Sequence, residues 1–345
     1  MIPIKIVSTK QLNILEIVWA PNNVCNYKCE YCWPGSNEGN YRSPENLDLI
    51  VKNFNHLLER YKTNLGKNKV HLKIGGGEPT LWKDLALFVK EIKKENDVYL
   101  TLISNGSRTL RWWKEYAELI DNAHLSYHIS QADPDHMIAV ADTLFEYNKK
   151  VTVKVLMDRL HWQEGLDVIE YMKKNSKHKW FIMTAEVIEP EVSKIKNIKV
   201  VNAEDIQITK DQKKFLKNPL KRIPNLFWIW KNRKLVFEGQ IRLYESIAYF
   251  KTGKSMKAKT NAYINNNWNN FEGWSCDIGL EHFFINWDGS IIGSCGQTLY
   301  GLNYSFNILD ENFVEKFDPN FEPAICSKKN CFCVPETHVS KFRLS

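Results

Sequence analysis

The sequence predicts an α/β fold, a partial (β/α)6 barrel followed by a smaller cysteine-rich unit, and three observations carry that expectation. Strand-like segments alternate six times with helix-periodic ones over about the first 200 residues. The residues of unusual chemistry fall directly after those strands. From about Phe271 onward the pattern changes to short aromatic segments punctuated by glycine, which hold five of the eight cysteines.

In chain order, NILEIVWA at residues 13–20 reads as the first strand. SPENLDLIVKNFNHLLERYKTN then places Leu47, Ile50, Val51, Phe54, Leu57 and Leu58 at helical spacing behind Ser43 and Pro44. Further strands are expected near 70–75, 98–103, 124–129, 151–157 and 180–187, each preceded by a helix-periodic segment such as DLALFVKEIKKEN or DHMIAVADTLFEYNKK. Right-handed crossovers would curl six parallel strands into a partial TIM-like barrel, with helices outside and functional loops at the C-terminal strand ends. Those ends carry the Cys25–Cys32 loop, GGGEPT, SNGS, SYHISQAD and Glu186. Farther on, HFFINWDGSIIGSC predicts a hairpin turning at Asp288-Gly289. The expected division is a barrel over 1–200, a linker region over 201–270 and a small domain over 271–345.

Composition narrows the function. The chain is 43% hydrophobic and 25% charged, with no apolar run approaching the roughly 20 residues of a membrane span. The N-terminus MIPIKIVSTKQLNILEIVWA lacks the pattern of an export signal. A cytoplasmic protein with no membrane partner is expected. The net charge is +7, but 47 Lys and Arg are interspersed among 40 Asp and Glu, so the charge reads as a solvated surface and no nucleic-acid partner is expected. Without an export signal, eight cysteines favour metal binding over disulfides.

Cys25-x3-Cys29-x2-Cys32 supplies three thiolates with no fourth cysteine until Cys276. Structural zinc sites close with four protein ligands, so three leave a coordination position open. With Tyr31 before the last cysteine, and with GGGEPT on a β/α scaffold, the sequence resembles the radical SAM superfamily, whose signature is CxxxCx(aromatic)C. The resemblance implies a 4Fe-4S cluster on Cys25, Cys29 and Cys32, with one iron free for S-adenosylmethionine. It further implies an electron donor such as flavodoxin or ferredoxin, one-electron reduction of the sulfonium, and a 5′-deoxyadenosyl radical. Carried over position by position, Tyr31 fills the aromatic place, and Gly76, Gly77, Glu78 and Pro79 approach the methionine end of the cofactor. Glycine admits close backbone approach, and a carboxylate accepts hydrogen bonds from an ammonium. Ser104 and Asn105, with Ser126, His128 and Ser130, are candidates for ribose and carboxylate contacts. Alternation alone says only that His128 shares a strand face with Ser126 and Ser130, so a structural histidine fits it as well. Glu186 could equally be a salt-bridge partner.

Cys276 is followed by twelve residues, Gly289, five residues and Cys295, which resembles the twitch and SPASM extensions of that superfamily. With Cys326, Cys331 and Cys333, five thiols suit one auxiliary iron–sulfur cluster, of the 4Fe-4S type, and one spare cysteine. A small twitch-like iron–sulfur domain is therefore expected, with a cysteine-rich zinc knob as the alternative. Since the first barrel strand begins near residue 13, no room is expected for a peptide-capture domain ahead of it. That favours a small hydroxylated, sugar-like substrate, oxidised or epimerised. A peptide-modifying maturase remains the alternative, and a non-catalytic metal- or nucleic-acid-binding protein on the same fold is the alternative of another class.

Overall fold

The computed structural model of the chain describes residues 2–32, 35–187, 209–224, 226, 245–294, 296–331 and 334–344. After a first strand β1 (Pro3–Ser8) come the six expected strands: β2 (Ile14–Trp19), β3 (Lys69–Ile74), β4 (Asp97–Ser104), β5 (Asn122–Tyr127), β6 (Lys150–Met157) and β7 (Phe181–Glu186). They pair in chain order and all in parallel. Between them lie helices α1 (Leu47–Leu65), α2 (Leu85–Glu95), α3 (Leu110–Tyr116), α4 (Pro134–Glu146) and α5 (Trp162–Asn175). This is the partial TIM-like barrel that the alternation predicts.

Side-chain alternation separates the two faces of the sheet. On β5, Ala123, Leu125 and Tyr127 are buried toward the helices, whereas Asn122, His124 and Ser126 keep partial exposure on the concave face. The same period puts Leu15, Ile17 and Trp19 into the apolar layer, where Trp19 meets Phe54 of α1 and Phe88 of α2 at ring-centroid distances of 5.0 Å each. Burial of one such aromatic side chain contributes up to about 3 kcal/mol. Helix ends follow local chemistry. The Asn46 side chain accepts the Leu49 N–H at the start of α1, and Gly66 ends that helix at φ 63°.

The sheet extends beyond the first barrel strand. The hairpin expected at Asp288-Gly289 forms from β11 (His282–Ile285) and β12 (Ile291–Ile292), and β11 also joins β2 in parallel, His282 opposite Glu16. A second sheet has the order β13 (Ala324–Ile325), β10 (Trp274–Cys276), β14 (Lys341–Arg343), β1, β8 (Ser246–Phe250), β9 (Ser255–Ala258). Residues 246–250 and 255–258, inside the span read as a linker, are thus strands. At five and four residues, SIAYF and SMKA are too short to announce themselves, and it is pairing of the first with β1 and of the second with the first that makes them strands. Among the described residues, no helix is long and apolar enough to cross a membrane.

Candidate active site

From Trp19 the chain runs into the cysteine loop through Asn22 and Asn23, both fully buried. Asn22 Oδ1 accepts the Val24 N–H at 3.0 Å, and its amide donates to Ser43 Oγ at 2.9 Å. Asn23 Oδ1 accepts the Tyr41 N–H at 2.8 Å, and its amide donates to the Gly35 carbonyl at 2.6 Å. Two buried amides therefore fold the loop back on itself. Trp287, at the tip of the β11–β12 hairpin, closes over its far side, stacked on Tyr41 with centroids 5.9 Å apart.

The loop after β3 meets this one backbone to backbone. Gly77 N–H donates to the Asn22 carbonyl at 3.0 Å, and Glu78 N–H to that of Val24 at 2.7 Å. Gly76 has φ +114°, and a Cβ there would stand 2.6 Å from the Asn22 carbonyl oxygen. A Cβ on Gly77 would run into the Val24 carbonyl. Both glycines thus admit the chain's own cysteine loop, and both also line the cavity described below.

Glu78 is fully buried and hydrogen-bonded within the protein. Its Oε1 accepts the Thr80 N–H at 3.1 Å, the Thr80 hydroxyl, and the Ser104 hydroxyl at 2.8 Å; its Oε2 accepts the Asn105 N–H at 2.7 Å. Burial pushes its pKa up, against the pull of these bonds. In this position Glu78 fixes the turn after β4. Asn105 in turn reaches Asn26 Oδ1 at 3.0 Å and lies 3.9 Å from Cys25 Sγ. Glu78→Gln would aim an amide N–H₂ at donors, so a loss of about 1–3 kcal/mol is expected in urea unfolding, together with weaker S-adenosylmethionine binding through a displaced Asn105. Wild-type stability in this variant would remove the role assigned to the carboxylate.

A cavity of about 190 Å³ opens at the C-terminal strand ends. Its walls are Cys25, Cys29 and Cys32, Gly76 and Gly77, Ser104 and Asn105, Ser126 and His128, with Tyr27, Ser36, Asn37 and Ile103. Nine of the candidate residues meet here. Glu78 and Pro79 are buried behind this wall, and Ser130 lies outside it, exposed in the turn after β5. Tyr31 acts from the side. Its hydroxyl is 3.0 Å from His128 Nδ1, and its ring stacks on the imidazole at 11°. The same Nδ1 is 3.1 Å from Cys29 Sγ. Burial holds His128 near pKa 4 and hence neutral, so its Nδ1 is a donor to sulfur in one tautomer only. Sequence reasoning missed Tyr27, Ser36, Asn37 and Ile103; Ile103 could have been found by its period-two relation to the inward face of β4.

The donor set suits an iron–sulfur cluster. Burial pushes the Cys29 thiol to about 12, with Cys32 and Cys25 adding to the effect, and it raises Cys25 as well. Three such thiols become thiolates together when a cationic metal group shares their cavity. Among the described residues no group of three or more His, Cys, Asp and Glu is already drawn into metal-holding geometry. A larger hollow of about 280 Å³ lies on the second sheet between Ile2, Ile4, Phe250, Lys251, Thr252 and Arg343, away from every cysteine named above.

Beneath the cavity the barrel interior is charged. Glu16 is ion-paired with Lys73 and, at 3.4 Å, with Lys10; His282 Nδ1 lies 4.0 Å away. His71 Nε2 is 2.8 Å from Thr101 Oγ1. Glu186 is ion-paired with Lys213 at 2.9 Å, the plainer of the two roles considered for it.

A parallel β/α barrel with three cysteines of a CxxxCxYC loop in its upper cavity defines a class of iron–sulfur enzyme folds. The radical SAM superfamily model matches residues 19–191, half of the chain, and the chain belongs to that superfamily. The family implies a 4Fe-4S cluster and S-adenosylmethionine. The chain is similar to the GTP 3′,8-cyclase of Campylobacter jejuni subsp. doylei, 32% identical over 129 residues, 37% of each chain. It is also similar to GTPase Obg of Brachyspira hyodysenteriae, 37% identical over 103 residues, 30% of this chain and 15% of the relative. The chain thus spans well under two thirds of the length of these relatives. A solved structure described as native anSMEcpe with bound AdoMet shares 18% identity at a TM-score of 0.48, covering 89% of this chain and 81% of that one.

In the C-terminal part, Cys276 and Cys326 are buried and Cys331 is half-buried. Burial pushes Cys276 and Cys331 each to about 12, while the fully buried Lys341 acts on both in the opposite direction. Cys295 and Cys333 lie outside the described residues.

Proposed function

We propose that this chain is a radical SAM enzyme that cleaves S-adenosylmethionine reductively and abstracts hydrogen from a small hydroxylated substrate, oxidising or epimerising it. The observation that supports this reading best is the convergence of Cys25, Cys29, Cys32, Gly76, Gly77, Ser104, Asn105, Ser126 and His128 on one cavity. When bound, the cluster and S-adenosylmethionine supply one electron and a 5′-deoxyadenosyl radical. The protein's own residues do the rest. Cys25, Cys29 and Cys32 would ligate the cluster, and His128, in the tautomer with its proton on Nδ1, would donate to Cys29 sulfur and favour its anion. Ser104, Asn105 and Ser126 offer hydroxyl and amide groups to the cofactor's ribose and carboxylate. A flavodoxin or ferredoxin is the proposed cytoplasmic reductant.

For residues 271–345 the reading is a twitch-like unit whose auxiliary cluster draws on Cys276, Cys295, Cys326, Cys331 and Cys333. The buried meeting of Cys276, Cys326 and Lys341 supports it. A peptide substrate is the second reading.

Protein reconstituted anaerobically with iron and sulfide and reduced with dithionite is expected to convert S-adenosylmethionine to 5′-deoxyadenosine, resolved by liquid chromatography. A fully iron-loaded preparation that makes none above the protein-free control would refute the assignment.

A further inference from the structure

In the second sheet β14 lies between β10 and β1, and its Lys341 stands directly opposite Cys276 of β10 and Ile6 of β1. Paired residues of neighbouring strands project to the same side, so the lysine shares the buried face of this sheet with Cys276. Cys326 joins them from the other flank of β10. It follows Ala324, the partner of Cys276, by two residues, and its N–H donates to the Trp274 carbonyl at 2.8 Å. Ile325 between them is 54% exposed, as alternation requires. Cys331 is tied in by its N–H, which donates to the Asn269 carbonyl at 2.9 Å.

Lys341 itself is 1% exposed. Its ammonium donates to the Glu336 carbonyl and, at 2.8 Å, to that of Val339, and it stands 5.0 Å from the centre of the Phe271 ring. Carbonyls orient a cation without neutralising it. Among the described residues no carboxylate forms an ion pair with this one: Glu281 accepts the Ser340 hydroxyl at 2.6 Å and N–H at 3.2 Å, and Glu336 Oε1 accepts the Ser294 N–H. A cation so buried is unfavourable unless an anion stands near it. Burial works against the ammonium, yet Cys276 and Cys331, with Glu281 and Glu336, outweigh it and raise the Lys341 pKa. At Cys276 and Cys331, where burial opposes the thiolate, Lys341 is the strongest influence in its favour. The donor set fits a thiolate-bound metal group, whose anionic sulfurs supply the charge that the ammonium lacks.

We propose that Lys341 is the buried counter-cation of the auxiliary iron–sulfur cluster and raises that cluster's reduction potential. This rests on the reading of residues 271–345 as a twitch-like unit and deepens it. Lys341 touches no substrate and acts through the cluster as a positioning residue. Reduction adds one electron, and so one negative charge, to a group that is already anionic with its thiolates; a fixed cation beside it favours the reduced form. At 1% exposure neither water nor salt screens that interaction as it would at the surface.

The test is a redox titration followed by electron paramagnetic resonance on the reconstituted wild type, Lys341→Gln and Lys341→Met. The signal that changes when S-adenosylmethionine is added belongs to the cluster on Cys25, Cys29 and Cys32, and serves as an internal reference. Gln keeps two N–H donors for the Glu336 and Val339 carbonyls but no charge; Met keeps neither. Both variants are expected to lower the reduced-to-oxidised ratio of the auxiliary cluster roughly tenfold or more at a fixed potential, a downward shift of about 59 mV for one electron, with the reference unmoved. A wild-type potential in Lys341→Gln overturns the proposal even where Lys341→Met shifts, because the hydrogen bonds and not the charge then matter. If Lys341→Gln holds no auxiliary iron, circular dichroism of the metal-free protein decides. A wild-type spectrum shows that the thiolates are not held without the cation and supports the proposal, whereas a lost fold assigns Lys341 to the sheet and overturns it. Wild-type protein with iron for one cluster only, or with zinc in the second site, ends the twitch reading and the proposal with it, and metal analysis of the wild type shows this before any variant is compared.

Discussion

Replacing Cys25, Cys29 and Cys32 together by alanine is expected to abolish 5′-deoxyadenosine formation and to leave about half of the iron. The wild type should carry about eight irons if both clusters are of the four-iron type. The three thiols share one cavity, and the loop that carries them is held by Asn22 and Asn23 rather than by the sulfurs themselves. The variant should therefore fold, and its circular dichroism should match the wild type. Iron that falls to zero would mean the C-terminal cysteines hold none, which would end the twitch assignment. Zinc in place of iron in the remaining half would end it as well.

The largest stability effect is expected at Glu16. Burial alone would raise this carboxyl, yet Lys73, Lys10 and His282 outweigh it and hold the pKa far below its ordinary 4.5. Glu16→Leu leaves two interior lysines without their anion, at a cost of about 3–5 kcal/mol in denaturant unfolding. Glu16→Leu with Lys73→Met should recover a measurable part, because the second change removes one of the stranded charges. Additive losses would show that the pair is not coupled. The sign of the pH effect follows from the depressed folded value. The stabilisation is complete above about pH 4.5 and is lost as pH falls below that. Wild-type unfolding free energy should drop across that acid range more steeply than that of the double variant.

Periodicity made the barrel legible. Every strand from β2 to β7 lies within about two residues of its expected place, because apolar residues facing the helices repeat at period two and the intervening helices at 3.6. The cysteine loop was legible because three sulfurs at that spacing have few uses. Glu78 was harder to read. A carboxylate after three glycines looks the same in sequence whether it faces a ligand or, as here, Thr80, Ser104 and Asn105. The interior ion cluster was invisible, since Glu16 and Lys73 read locally as the polar half of ordinary strand alternation. Only closure of the sheet turns that half inward. Strands β1 and β8 went unread because their partners lie across the whole chain.

That last pairing has a bearing on the order in which the molecule comes into being. During synthesis β2 to β7 leave the ribosome long before residues 282–285 exist, so the nascent barrel carries an uncovered parallel edge at β2 until β11 arrives. β1 must wait still longer for Lys341 and Phe342 on its other side. Contacts of such separation slow folding, and an open strand edge invites pairing with other chains in the meantime. Production yield in a host is therefore expected to depend on how well that edge is shielded during the interval before the last strands appear.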